Sequence, residues 1–78
     1  MKYIIAVEIG TNYETAVVFP DFTTHTAVNN PKLKAVSAGF FLLHQDKTTT
    51  VYGESVSLGL KPRPEDTKIL EKLFNDQH

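Results

Sequence analysis

The sequence predicts a small α+β domain, an antiparallel sheet of four to five strands in two hairpins with one C-terminal amphipathic helix packed on one face. Short runs rich in β-branched and aromatic residues alternate with turn-forming residues as far as Glu54. A stiff connector, Lys61-Pro62-Arg63-Pro64, follows them. Beyond it, Ile69, Leu70, Leu73 and Phe74 fall on one stripe at helical spacing, while Glu65, Lys68, Glu71 and Lys72 stay polar. A chain of 78 residues has room for one core, so residues 1–78 are expected to form a single domain.

The first strand is read over residues 3–9, Tyr-Ile-Ile-Ala-Val-Glu-Ile, and the turn after it from Gly10-Thr11-Asn12. The second spans Thr15 to Phe19 and stops at Pro20, which cannot donate to a ladder. With Gly10 to Tyr13 as the loop, Ile9 lies opposite Glu14 and Val7 opposite Ala16. Between Asp21 and Lys34 only a single helical turn from Thr24 to Asn29 suggests itself. Ala35 to Leu43 and Thr48 to Glu54 form the second hairpin around Gln45-Asp46-Lys47. Taking Asp46-Lys47 as its turn pairs Leu42 with Val51 and Phe41 with Tyr52. Ser55 to Leu60 alternates apolar and small residues, as a fifth strand or an extension of the fourth would. Pro64 suits the first turn of a helix, with Glu65 and Asp66 at the positive end of its dipole, and the helix is expected to reach Asn75.

Composition narrows the function. With 41% hydrophobic and 22% charged residues, the chain belongs with folded rather than disordered proteins. A net charge of -1, from 8 basic and 9 acidic side chains, lacks the positive surplus that releases counterions from nucleic acid. The absence of cysteine excludes disulfides, thiolate nucleophiles and iron-sulfur centres. The apolar run Tyr3 to Val7 is too short for a leader or a membrane span, so a cytoplasmic protein without a membrane partner is expected.

Candidate chemical motifs each have a plainer explanation. Ile4 to Asn12, followed by Thr15 to Phe19, resembles the first phosphate motif of the actin, Hsp70 and sugar-kinase superfamily. The resemblance implies a nucleotide-phosphate cradle of backbone N–H groups with Mg²⁺ nearby, formed by the Glu8-Ile9-Gly10-Thr11-Asn12 turn. Glu8 stands where that family has Asp, and the match covers about a fifth of the chain, with no further motif of the family downstream. Local chemistry reads Gly10-Thr11-Asn12 as a hairpin turn. His25, His44 and His78 share no metal-ligand spacing, and Ser55 lacks the second glycine of a nucleophile elbow. No catalytic residue, metal ligand or cofactor is therefore expected. Lys61, Arg63, Lys68 and Lys72 cluster near the helix start but are offset by Glu65, Asp66 and Glu71.

Apolar patterning gives the strongest functional expectation. In the third strand Val36, Ala38, Phe40 and Leu42 point one way, and Phe41 and Leu43 the other. The first hairpin is likewise apolar on both faces, yet one helix covers one face. The other is left to the loop from Asp21 to Lys34, a second copy of the chain or a different protein. Cover from another molecule is slightly favoured, because that loop offers only Phe22, Val28 and Leu33. Leaving the remainder in water forgoes several kcal/mol at about 25 cal/mol per Å², against a total stability of about 4 to 12 kcal/mol. The expectation is a non-enzymatic interaction module of the kind small microbial or phage genes encode. It would self-associate as a homodimer, or bind another protein, through a sheet face or edge that includes Phe41, Leu43, Tyr52, Val17 and Phe19. Besides phosphate binding, the alternative is single-stranded nucleic acid stacked on Phe40, Phe41 and Tyr52, flanked by Lys32, Lys34 and Lys47.

Overall fold

Four strands, β1 (Lys2–Glu8), β2 (Glu14–Phe19), β3 (Leu33–Leu43) and β4 (Thr49–Tyr52), form one antiparallel sheet in the order β2-β1-β3-β4, and helix α1 (Asp66–Asn75) follows. The computed structural model describes residues 1–25 and 32–75. The expected helical turn over residues 24–29 lies largely outside the described residues. The near-continuous apolar run of β1 is explained by its place between β2 and β3, where both of its faces are buried.

The first hairpin pairs Val7 with Glu14 and Ile5 with Ala16, two residues from the expected register. A shift of two leaves every side chain on its expected face. The longer turn is held by Thr11, whose N–H and hydroxyl both donate to the Glu8 carbonyl while its Oγ1 accepts the Tyr13 N–H.

The second hairpin differs by one residue, and that changes its faces. Phe41 pairs with Val51 and Phe40 with Tyr52. The turn holds three residues, with Lys47 at φ 70° and the Asp46 carboxylate accepting both the Thr48 N–H and its hydroxyl. A lysine at positive φ gives no glycine signal in the sequence. A second irregularity lies between β1 and β3, where the register shifts at Ile5/Ala6 and Val36 becomes the extra residue of a bulge. Val36 therefore packs on the same side as Phe41, against the strict alternation expected.

Helix α1 covers a core of Tyr3, Ile5, Phe41 and Leu70, joined by Ala16, Val18, Val51, Ile69 and Phe74. Its start is fixed by Asp66, whose carboxylate accepts the backbone N–H of Arg63 at 2.9 Å, one half of a capping box with Pro64 in the first turn.

The opposite face is covered around β1 as well, so the expected bare second face shrinks to a margin at β3 and β4 where Leu42 and Tyr52 stay about half exposed. Ile4, Ala6, Phe19 and Ala38 are buried on that face beneath Leu58 and Leu60 from the segment between β4 and α1. His25 adds a lid of its own. Its Nε2 lies 3.1 Å from the Gly39 carbonyl, and its ring meets Phe19 and Phe40 edge-on. The fifth strand is absent, since Ser55 and Leu60 form one isolated bridge around a turn with Gly59 at φ 67°. Ser55 Oγ accepts the Leu58 N–H, a local bond that competes with a ladder. The connector then passes β3 at Gly39, where an added Cβ would lie 2.7 Å from the Pro62 ring.

Candidate functional site

The five residues expected to form an interaction surface do not share one. Phe41 is 2% exposed beneath α1, and Phe19 is 5% exposed in the second cluster, against which Val17 also packs. Leu43 and Tyr52 are 49% and 45% exposed, but the observed register sets them on opposite faces of the second hairpin. Tyr52 stacks on Phe40 at 5.6 Å, with the Lys2 ammonium 5.7 Å from the Phe40 ring, while Phe41 faces α1. The three aromatics therefore do not make one stacking platform.

The turn considered for phosphate is largely occupied by its own bonds. The N–H groups of Ile9, Thr11 and Tyr13 donate to the Lys32 carbonyl, the Glu8 carbonyl and Thr11 Oγ1. Among the described residues, no group takes the N–H of Gly10 or Asn12, and these two lie beside the exposed Glu8.

The two borders of the sheet offer more. The Phe41 N–H donates to the Met1 carbonyl at 2.9 Å, which marks Met1 and Phe41 as a hydrogen-bonded pair. Alternation along an antiparallel ladder then turns the backbone of Tyr3 and Ile5 toward β3, and that of Lys2, Ile4 and Ala6 toward Phe19, Val17 and Thr15. Glu14, Ala16 and Val18 are left with backbone N–H and C=O groups directed away from the sheet. Among the described residues, no group takes the outward N–H of Ala16 or Val18.

Border β4 is treated differently. The His44 N–H donates to the Thr48 carbonyl at 2.8 Å, so Thr49 and Val51 direct their backbone outward. The Thr49 N–H is taken at 2.9 Å by Glu71 Oε2 of α1. With only four residues and one outward donor already engaged, β4 is a guarded edge.

No protein-family model, curated protein or solved structure gives a significant match to this chain. Its function is therefore read from the geometry of the unguarded border.

Beside β2, α1 sets Lys68, Ile69, Lys72 and Leu73 across from Tyr13 to Ala16, enclosing a groove of about 340 Å³. A polar network, buried at Tyr3 and Asp66 and partly exposed at Arg63 and Glu14, ties the start of α1 to β1 and β2. Asp66, fully buried, accepts the Tyr3 hydroxyl at 2.6 Å and Arg63 Nε at 2.9 Å, and Arg63 Nη2 reaches Glu14 Oε1 on β2. Burial, reinforced by the hydrogen bond to Asp66, pushes the Tyr3 phenol far above its ordinary value of 10.0. The hydrogen bond that Arg63 donates to Glu14 holds the guanidinium proton more firmly, against the opposing effect of burial. Lys68 and Lys72 are exposed and make no ion pair among the described residues.

The sequence makes the four-residue spacing of Lys68 and Lys72 visible, but not their position beside β2, which depends on how α1 crosses the sheet. Among the described residues, no three His, Asp or Glu side chains gather closely enough to hold a metal. No described helix is long and apolar enough to cross a membrane.

Proposed function

We propose that this protein is a non-enzymatic interaction module that captures an extended protein segment as an added strand along β2. The observation that carries the reading is the row of outward backbone groups at Glu14, Ala16 and Val18, where no described residue takes the Ala16 or Val18 N–H, next to a preformed groove. Strand addition draws affinity from main-chain hydrogen bonds and selectivity from the pockets under alternate side chains. Of the two surfaces expected, a sheet face or an edge, the face offers less, since Leu58, Leu60 and His25 pack over much of it and leave Leu42 and Tyr52 at its margin.

The test is a displayed library of extended octapeptides panned against the full chain and against Ala16→Pro. That substitution removes an outward donor and spares the β1–β2 ladder, where an edge proline is tolerated. Binders that lose affinity for Ala16→Pro support the reading. A library yielding no binder, or binders indifferent to the substitution in a variant that still folds, overturns it.

A further inference from the structure

Resting on that reading, we infer that the groove takes an extended strand with glutamate side chains at alternate positions on its helix-facing side. Lys68 with Ile69 and Lys72 with Leu73 line the same groove as Tyr13 to Ala16, as two successive rungs of α1. Rungs four residues apart are about 6 Å apart along a helix. Alternate side chains on one face of a strand are about 6.6 Å apart, so two successive ones meet the two rungs in step. Each rung combines an aliphatic side chain with a cation. Glutamate answers both, laying its methylene groups on Ile69 or Leu73 and its carboxylate beside Lys68 or Lys72.

Charge also chooses between occupants. Glu14, the acidic residue of the groove, is already bonded to Arg63, so the unengaged charge facing an incoming strand is positive. A second copy joined through β2 would be related by a two-fold axis normal to the sheet, with both helices on the same side. Their Lys68 and Lys72 rows would then approach one another, and such like-charge contacts oppose association. An acidic strand has no such conflict.

The probe is a labelled, end-capped octapeptide alternating glutamate with threonine, titrated into the full chain by fluorescence anisotropy, with amide shifts followed by NMR. Saturable binding is expected, with shifts at the Ala16 and Val18 amides. Affinity should fall roughly tenfold in the Lys68→Glu/Lys72→Glu double variant and fall with added salt. N-methylation of the peptide on its β2-facing amides should abolish binding without altering the protein.

Equal affinity for the glutamine-for-glutamate or lysine-for-glutamate peptide overturns the acidic assignment; if that binding is still lost in Ala16→Pro, strand addition survives. Binding of the acidic peptide that ignores both N-methylation and Ala16→Pro overturns both ideas, leaving only a surface charge effect. No binding at millimolar peptide overturns the acidic strand, and the library decides separately whether the border takes any other. Sedimentation showing a dimer that Ala16→Pro dissolves would name a second copy as the occupant instead.

Discussion

The hydroxyl of Tyr3, in the central strand, donates a 2.6 Å hydrogen bond to the buried carboxylate of Asp66 at the start of α1, 63 residues away. This contact and the Arg63 bonds to Asp66 and Glu14 join the helix start to β1 and β2. Tyr3→Phe leaves Asp66 buried with one donor fewer and should cost about 1–3 kcal/mol by urea denaturation. Asp66→Ala should cost more, about 2–4 kcal/mol, because the buried Tyr3 hydroxyl loses its acceptor and the Arg63 N–H its cap. An unchanged midpoint for Tyr3→Phe would mean that the bond contributes nothing net.

The same tyrosine predicts an alkaline limit. Its phenol keeps its proton in the folded state above pH 10.0, where the unfolded chain has begun to lose it. The folded state then binds more protons than the unfolded one, so stability is intact below that pH and declines as pH rises through and beyond it. Melting temperatures from pH 8 to 11 should show that decline in the parent protein and a shallower one in Tyr3→Phe. Parallel curves would contradict the assignment.

Opposite outcomes are expected from neighbouring positions of β3. Phe41→Ala removes a ring buried between Tyr3 and Phe74 and should cost about 3–5 kcal/mol. Leu43→Ser, at the exposed end of the hairpin, should change stability by no more than about 0.5 kcal/mol. Reversed magnitudes would show that the observed hairpin register is wrong.

These two residues also mark how far the sequence could be read. Strand and helix positions were legible because runs such as Tyr3 to Val7 and the stripe Ile69, Leu70, Leu73 and Phe74 carry their own periodicity. The faces of the first hairpin were legible too, but those of β4 and the start of β3 were not, because a slip of one residue at Lys47 and an inserted Val36 each invert alternation, and neither carries a glycine or proline signal. The second lid was hidden for another reason. His25 reads as a loop residue, and Leu58 and Leu60 read as strand, until the chain folds back over Ile4 and Ala38. Of the groove, only the lysine spacing was visible, since the border of β2 becomes an edge only once β3 takes the other side of β1.

Gly39 is constrained by packing and not by its backbone angle. An added Cβ would stand 2.7 Å from the Pro62 ring and 3.0 Å from the Tyr52 carbonyl, neither of which is a flexible chain end. Gly39→Ala should therefore cost about 1–3 kcal/mol. Gly10→Ala meets nothing within 4 Å and should cost about 1 kcal/mol through its φ of 93° alone. Thermal denaturation of the two variants side by side checks the ranking.

Removing the Glu71 carboxylate should release the Thr49 N–H from its partner. Glu71→Ala is expected to raise light scattering on prolonged incubation at high protein concentration, with only a small change in melting temperature. Scattering no different from the parent would mean that the shortness of β4 is protection enough.

The unequal treatment of the two flanks limits what the sheet can become. A docked strand could extend it on one side only, because the opposite rim is short and partly stoppered by the helix. Growth would end with a single guest per chain, in a ratio of one to one, and successive molecules would have no matching pair of rims by which to stack into a fibre.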